Sequence, residues 1–424
     1  MKKLLSLLTA LAICFCLNLN LIAFATDDEM PTNGFDVDKT SAQIAKEMKI
    51  GWNLGNTFDS WDGSGLDSET SWGNPKTTEK MILDIKAMGF CTVRIPVTWS
   101  IHADDKGNID SEWMARVKEV VDYAYNNDMY VILNSHHDDS YFDIGGCVSN
   151  EDTYAESIEK MANLWTNIAN TFIDYDERLV FETMNEPRTV GSSKEWMGGT
   201  AAEREIVYGL NDAIVKAIRA TGGNNAYRHI MIPTYAATYL TSVLRKMELP
   251  DDDRIIVSVH AYVPYSFAMN EKGSSDFKNS DKRALDKFFS QLNKIFISKG
   301  IPVVIGEFGA TNKDNLDDRC EWAEYYVKGA GQYGIPCAVW DNNIGKEAGA
   351  ECWGLYDRDS GEWLFPEIAE TMVRAADEAL NNTEINNAEK SSADITLPII
   401  LSVIAVVVLI LIIILIKRKK RFHK

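Results

Sequence analysis

The chain has 424 residues, a formal net charge of −19 at pH 7 and a sequence pI near 4.8. Such acidity argues against binding to nucleic acid or to an anionic membrane surface, because both attract basic patches. The length suits either two or three ordinary domains or one large barrel with terminal extensions.

The N-terminus has the pattern of a secretory signal peptide. Lys2 and Lys3 form a basic start, an apolar stretch follows, and Ala23-Phe24-Ala25 resembles a small-residue cleavage site. We therefore predict a signal peptide over residues 1–25, followed by a short lead-in over residues 26–39.

The body of the chain, residues 40–376, alternates between two patterns. Short runs of branched apolar residues, typical of buried parallel strands, are followed by longer segments with apolar residues at helical spacing. The predicted strands are Ile50–Asn53, Cys91–Val97, Tyr130–Ser135, Leu179–Met184, His229–Pro233, Ile255–His260, Ile301–Gly306 and Cys337–Trp340. The predicted helices include Thr77–Met88, Glu112–Asn126, Ile158–Phe172, Glu203–Ala220, Ala284–Ser298 and Cys320–Gln332.

Eight strands alternating with helices over about 330 residues predict an α/β fold, a (β/α)8 TIM barrel. A doubly wound open sheet is the rival architecture. That fold usually has fewer strands and a Gly-rich phosphate loop, and the sequence contains no match to such a loop.

The C-terminus predicts a membrane anchor. Residues 377–396 are rich in Asn, Glu, Ser and Asp and lack aromatic residues, so they predict a flexible acidic stalk. Residues 397–416 carry no charge and are long enough to cross a bilayer core of about 30 Å as a helix. The basic residues of the tail, 417–424, place that tail in the cytoplasm by the positive-inside rule.

Polar and aromatic residues stand where the predicted strands end. Barrel enzymes place their chemistry at the C-terminal ends of the strands. One polar residue after an apolar run carries little information, but a set at seven strand ends predicts one functional face. The candidates are Asn53, Arg94, His136, His137, Asn185, Glu186, His260, Tyr262, Glu307 and Trp340.

Two of these candidates, Glu186 and Glu307, follow different strands and predict a pair of carboxyl groups facing one cleft. Hydrolysis of a glycosidic bond requires such a pair, one as acid and base and one as nucleophile or second base. The alternative is that both are solvated or structural carboxylates. Arg94 next to such a pair would keep a carboxylate ionised, or would form a structural ion pair inside the barrel.

The remaining candidates suit sugar recognition. Asn185 offers an amide donor to a sugar 2-hydroxyl, and Tyr262 can donate to Glu307. Trp340 is either a platform for a sugar ring or a core residue. Adjacent residues on a strand point to opposite faces, so His136 and His137 are expected to bind sugar hydroxyls rather than one metal ion. We therefore expect no metal and no cofactor.

At these residues the chain resembles glycoside hydrolase family 5, the endoglucanase (cellulase) family of the large (β/α)8 glycosidase clan. The resemblance covers residues 40–376, and seven motifs in family order carry it. They are Gly51-Trp52-Asn53-Leu54-Gly55-Asn56-Thr57, Val93-Arg94-Ile95-Pro96-Val97-Thr98-Trp99, Asn134-Ser135-His136-His137, Asn185-Glu186-Pro187, His260-Ala261-Tyr262, Gly306-Glu307-Phe308-Gly309 and Val339-Trp340-Asp341.

The resemblance implies hydrolysis with retention, in which Glu186 is the acid and base and Glu307 is the nucleophile. It implies that Arg94, Asn185, His260, Tyr262 and Trp340 complete the active-site shell. Either His136 or His137 could fill the remaining histidine position, and His136 is preferred because it stands at the strand end. A carboxyl separation of about 5 Å is expected. We also expect the charge of Glu307 to raise the pKa of Glu186, and the Trp340–Asp341 peptide to be cis.

Two alternatives stand beside an endo-β-1,4-glucanase. One is a xyloglucan, mixed-linkage-glucan or mannan endo-hydrolase of the same family, and the other is a surface glycan-binding protein without catalysis. The expected partner is a β-glucan polysaccharide substrate, and no nucleic acid is expected as a partner. The expected protein is a monomer on the extracellular face of the cell membrane, held there by a single-pass C-terminal anchor.

Overall fold

The structure is a computed structural model, and it describes residues 34–380. The predicted signal peptide, the transmembrane segment 397–416, the basic tail and the stalk beyond residue 380 lie outside the described residues. Among residues 34–380, none of the helices combines the length and the apolar character needed to cross a membrane.

Eight parallel strands form a closed barrel, in which β1 pairs with β2 and also with β8. The predicted (β/α)8 TIM barrel is therefore confirmed, and the strand ends lie within two residues of their predicted positions. The strands are β1 Ile50–Leu54, β2 Thr92–Ile95, β3 Tyr130–Asn134, β4 Leu179–Glu182, β5 Ile230–Pro233, β6 Ile255–His260, β7 Val303–Phe308 and β8 Cys337–Asp341.

Helices cover the outside of the barrel, and all six predicted helices are present. The helices are α1 Ser41–Met48, α2 Glu79–Met88, α3 Ser111–Tyr125, α4 Ile144–Ser149, α5 Glu151–Thr171, α6 Ala201–Ala220, α7 Thr241–Leu244, α8 Tyr265–Ala268, α9 Asn279–Ile295 and α10 Leu316–Gly331. A last helix spans residues 366–380, four residues beyond the domain boundary predicted at 376. The connection from β5 to β6 has only the four-residue α7 in place of a full crossover helix.

Helix α2 shows how local sequence sets the element ends. The Thr78 hydroxyl accepts a hydrogen bond from the backbone N–H of Met81, which caps the start of the helix. Gly89 ends it with a φ of 113°, a left-handed conformation that glycine adopts without steric cost. Between these ends Ile82 and Ile85 bury the apolar stripe against the barrel.

The N-terminal end of the barrel is closed by α1, which the sequence did not predict. Ile44 and Met48 of this helix are buried in a cluster that is separate from the main hydrophobic core. The other members come from the strands and from residue 45: Ala45, Tyr130, Ile132, Val180, Met231, Ile256 and Val304. A capping box between Thr40 and Gln43 fixes the start of the helix over this cluster.

We expect Ile44→Ala to lower the free energy of unfolding by about 2–5 kcal/mol, because it leaves a cavity under the barrel. Leu83→Ala removes the same kind of side chain from a position that is 39% exposed, and should cost less than about 1 kcal/mol. Urea unfolding of residues 26–380 measures both changes. Equal costs at the two positions would show that α1 does not seal the barrel.

Candidate active site

The predicted site residues meet at the C-terminal end of the barrel. Glu186 lies four residues after β4, while Glu307 lies inside β7 and pairs in register with His260 at the end of β6. The register between β6 and β7 shifts at His260, which is an irregularity of the kind often found beside active sites.

The two glutamates form a close carboxylate pair with His260 between them. One oxygen from each carboxylate and a ring nitrogen of His260 lie within 4.8 Å of one another. The Nδ1 atom of His260 donates to Oε1 of Glu186 at 2.7 Å and lies 3.6 Å from Oε1 of Glu307. This spacing matches the roughly 5 Å separation of retaining glycosidases and is too short for the water that inverting enzymes accommodate.

Arg94 lies at the centre of the site and is fully buried. Its guanidinium donates to Oε2 of Glu182 at 2.8 Å and to Oε1 of Glu307 at 2.8 Å. It also donates to the side-chain oxygens of Asn53 at 2.9 Å and Asn185 at 2.8 Å. Burial lowers the pKa of Arg94, but the charges of Glu182 and Glu307 raise it by more, so the group stays cationic.

Glu182 is a buried member of the site that the sequence analysis missed. It accepts hydrogen bonds from Arg94, from the amide of Asn134 at 3.1 Å and from the hydroxyl of Ser258 at 2.5 Å. The signal was present, because Glu182 is a charged residue inside an apolar strand and such residues are almost never fully buried without a partner.

Asn53 is a supporting residue of β1 that is completely buried. Its amide donates to the carbonyl oxygens of Gly306 at 2.9 Å and Ala338 at 3.1 Å, so it joins β1 to β7 and β8. Its side-chain oxygen accepts from Arg94. In Asn185 the side-chain oxygen is likewise taken by Arg94, which leaves the NH2 group as the donor available to a ligand.

His136 and His137 do not point to opposite faces, contrary to our expectation. Strand β3 ends at Asn134, so alternation no longer applies, and the two rings meet edge to face at 4.5 Å. Burial lowers the pKa of His136 well below 6.5 and that of His137 to about 4, so both rings are neutral. The amide of Asn134 donates to Nδ1 of His136 at 3.1 Å, which leaves Nε2–H as a donor.

These two histidines also form one of two groups in residues 34–380 that could hold a metal ion. Ligand atoms of Asp59, His136 and His137 lie within 4.8 Å of one another, and Glu186, His260 and Glu307 form the second group. Asp59 already accepts from the backbone N–H groups of Asn56 and Thr57.

Trp340 lies beside His136, and the two rings stack at 5.9 Å with an interplanar angle of 12°. A Cβ atom at Gly55 would lie 2.7 Å from the indole, so the missing side chain makes room for the ring. The predicted cis peptide between Trp340 and Asp341 is wrong for this structure. Within residues 34–380 the cis peptide is Val263–Pro264.

Tyr262 donates its hydroxyl to Oε2 of Glu307 at 3.1 Å. Burial and the negative charge of Glu307 raise the pKa of Tyr262 well above its ordinary value of 10, so the phenol keeps its proton. Both oxygens of Glu307 are therefore held, one by Arg94 and one by Tyr262.

The expectation of a raised pKa for Glu186 is wrong. Burial does raise it, but the hydrogen bond from His260 and the nearby positive charge of Arg188 bring the net pKa below 4.5. The counterpart is His260, whose pKa is lowered by burial but raised further by Glu307 and Glu186, to a net value above 6.5. His260 and Glu186 therefore hold a proton between them, in the hydrogen bond that joins the two side chains.

Three tryptophans near the site were not predicted. Trp72 lies 6.1 Å from His137, and the 58% exposed Trp61 lies 6.1 Å from Trp72. Trp196, 57% exposed, packs at 4.7 Å against Arg188, which donates to the backbone oxygen of Glu186. Tryptophans in loops rich in Gly, Ser and charged residues were the signal that could have found them.

A barrel with a close pair of carboxylates at the C-terminal ends of its strands defines a glycoside hydrolase of the retaining geometry. Comparison with known proteins supports the same class. A family model described as cellulase (glycosyl hydrolase family 5) matches residues 55–346. The chain therefore belongs to glycosyl hydrolase family 5, as its motifs implied.

Individual relatives support this assignment. Endoglucanase A of Clostridium longisporum is 43% identical over 370 residues, which cover 84% of this chain and 70% of the relative. A GH5-4 broad specificity endoglucanase from Clostridium acetobutylicum superposes with a TM-score of 0.75 at 45% identity, covering 79% of this chain and 100% of that one. A GH5 xyloglucan-specific endo-β-1,4-glucanase from a metagenomic library, in complex with cellotriose, has a TM-score of 0.74 at 42% identity, with coverages of 78% and 97%.

We expect Arg94→Met to lower the free energy of unfolding by about 3–5 kcal/mol, because it leaves the carboxylates of Glu182 and Glu307 buried without their cation. Arg374→Met removes the same charge from an exposed position in the last helix and should cost less than about 1 kcal/mol. Chemical denaturation compares the two. A cost for Arg94→Met no larger than the control would show that Arg94 is not the charge on which the site depends.

Proposed function

We propose that the chain is a retaining, endo-acting glycoside hydrolase that cleaves internal β-1,4-glucosidic bonds of cellulose-type glucans. The observation that carries this proposal is the close pair of Glu186 and Glu307, with Glu307 held on both oxygens. The names of the relatives support the choice of glucan as substrate.

Glu307 acts as the nucleophile. Arg94 pairs with one oxygen of this carboxylate and Tyr262 donates to the other, so that the carboxylate is aimed at the anomeric carbon. The attack forms a covalent glycosyl-enzyme and breaks the bond to the leaving sugar.

Glu186 acts as general acid and then as general base. The proton held in its 2.7 Å hydrogen bond with His260 passes through Glu186 to the glycosidic oxygen as the bond breaks. Once the leaving sugar departs, the ionised Glu186 takes a proton from water, and that water releases the sugar from Glu307.

The remaining candidates bind the sugar at the reaction centre. The NH2 group of Asn185 donates to the 2-hydroxyl, an interaction that strengthens in the transition state. His136 donates through Nε2–H to a neighbouring hydroxyl, and Trp340 presents an apolar face to the ring.

Tryptophans from two different loops near the carboxylates favour endo action on a polymer. Trp61 and Trp72 continue outward from His137, while Trp196 lies on the side of Arg188. Tryptophan faces stack on sugar rings, so these side chains can hold sugar units beyond the one at the reaction centre, as action inside a long chain requires.

A xyloglucan, mixed-linkage-glucan or mannan endo-hydrolase is the second candidate, and the broad-specificity and xyloglucan-specific relatives favour its glucan forms. A non-catalytic glycan-binding protein is disfavoured, because such a protein has no need to retain Arg94 and Tyr262 on Glu307.

We also propose the organisation of the whole chain. A signal peptide over residues 1–25 directs export, and a short lead-in over residues 26–39 precedes the catalytic barrel at 40–376. A stalk over residues 377–396 then links the barrel to a membrane helix at 397–416, which is followed by a cytoplasmic tail at 417–424. The sequence patterns of the two ends support this arrangement. The enzyme then acts as a monomer on the extracellular face of the cell membrane.

We expect residues 26–380 to release reducing sugar from carboxymethylcellulose and mixed-linkage glucan, and to act less on xylan and mannan. Xyloglucan in the same panel tests the second candidate. Glu186→Gln and Glu307→Gln should each reduce the rate on polymers by at least about 10³-fold, because each removes one half of the double displacement. Glu159→Gln, at an exposed position on α5, is the matched control and should keep full activity.

An aryl β-cellobioside with a good leaving group separates the two roles. Such a leaving group needs no protonation, so Glu186→Gln should still form the glycosyl-enzyme and give a burst, whereas Glu307→Gln should give none. A burst from Glu307→Gln and not from Glu186→Gln would reverse the assignment. Binding of all polymers without cleavage would favour the glycan-binding protein.

The alkaline limb of the pH profile should report the His260–Glu186 pair. Because the folded-state pKa of His260 is raised above 6.5, the pair keeps its proton below that pKa and loses it as the pH rises through it. We therefore expect kcat/KM on carboxymethylcellulose to fall as the pH rises, with a midpoint above pH 6.5. The same fall should be smaller with the activated aryl substrate, which needs no proton from the enzyme. An alkaline midpoint below the ordinary imidazole value of 6.5 would contradict this account.

A further inference from the structure

A small cavity behind the nucleophile strand contains two buried donors without acceptors. The cavity volume is about 10 Å³, enough for one water molecule or one monoatomic ion. Nη1 of Arg319 and Nε1 of Trp353 both belong to residues that line it, and neither has a hydrogen-bond partner among residues 34–380. The other lining residues are Gly309, Ala310, Trp322, Val339, Leu355, Ile368 and Met372, none of them acidic.

Arg319 differs from the other buried arginines of the described chain. Arg94, Arg116 and Arg358 each contact a carboxylate. Arg228 has no carboxylate but donates to four backbone oxygens and to Asn225, so its guanidinium is satisfied. Arg319, only 2% exposed, donates through Nε to the carbonyl oxygen of Ala310 at 3.1 Å, and no ion pair joins it to the rest of residues 34–380.

A buried cation without an anion is costly unless a counter-charge accompanies it. The ring of Phe365, 4.5 Å from the guanidinium, offsets part of this cost through a cation–π contact. Burial also lowers the pKa of Arg319 to about 10, which still leaves the group charged at neutral pH. The positive charge and the two free N–H groups both favour a negative ligand over water.

We propose that this cavity binds one halide ion, chloride under ordinary conditions, between Arg319 and Trp353. The small volume excludes carboxylate, phosphate and sulfate ions, and the apolar remainder of the wall offers nothing to a cation. The ion supplies the counter-charge for Arg319 and accepts the N–H of Trp353.

The site is connected to the reaction centre through Trp353. The indole packs on the ring of Tyr262 at 5.6 Å, and Tyr262 donates to Glu307. Gly309 and Ala310, which line the cavity, follow β7 directly. A bound halide therefore stiffens the wall behind Glu307, and its binding can be tested whether or not the proposed reaction is right.

The direct test is diffraction from crystals of residues 26–380 grown in sodium bromide, with data collected at the bromine absorption edge. An anomalous peak between Arg319 and Trp353 is the expected result. Ordinary density without anomalous signal in the cavity would identify a water molecule and overturn the proposal.

Thermal unfolding gives a second readout in solution. At equal ionic strength, replacing sodium gluconate by sodium chloride should raise the Tm by about 3 °C, because gluconate is too large for the cavity and chloride binds the folded state. The rise should disappear in Arg319→Met and shrink in Trp353→Phe, which keeps an aromatic ring at the position and removes the N–H. Arg374→Met, the exposed control, should keep the full rise, and equal Tm values of the unmodified protein in the two salts would contradict a halide site.

Discussion

The active site depends on one buried cation shared by several acceptors. Arg94 holds Glu182 of β4, Glu307 of β7, Asn53 of β1 and Asn185 after β4, so a single guanidinium joins distant parts of the barrel wall. Burying these charges costs free energy, and only the fixed, planar geometry of the guanidinium repays it. The orientation of Glu307 follows from this arrangement, and so does its distance from Glu186.

The same strands supply both the stable end of the barrel and its reactive end. Side chains two residues apart on a strand point to the same face, so inward positions continue from the apolar cluster into the polar site. The pairs are Ile132 and Asn134, Val180 and Glu182, and Ile256 and Ser258. The cluster under α1 anchors the strands by apolar burial, and this anchoring holds the polar network at the other end in one geometry.

The sequence was sufficient for the barrel because each parallel strand is buried on both faces and reads as an unbroken apolar run. Glu186 and Glu307 were found by the same rule, since strand ends locate chemistry in a barrel. Glu182 was missed because the strand-end rule covers residues that follow a strand, whereas the predicted strand Leu179–Met184 runs through Glu182. Helix α1 is too short to show a period, and the four-residue α7 replaces a helix that the alternation led us to expect.

Two details of the site depend on geometry that the sequence does not contain. The ring contact of His136 and His137 depends on β3 ending at Asn134. The pKa of Glu186 depends on the position of His260.

The charges around the carboxylate pair explain how Glu186 can serve first as acid and then as base. Arg94 contributes one positive charge to two carboxylates, Glu182 and Glu307, so the site retains an excess negative charge that favours a proton on the neighbouring His260–Glu186 pair. In the proposed reaction Glu307 becomes an ester when the glycosyl-enzyme forms, and its negative charge is lost. The proton affinity of the His260–Glu186 pair then falls, because the negative charge of Glu307 that had raised it is gone. Glu186 has by then given up its proton and stays ionised, the form that a general base requires, so the change in charge at Glu307 itself reverses the role of Glu186.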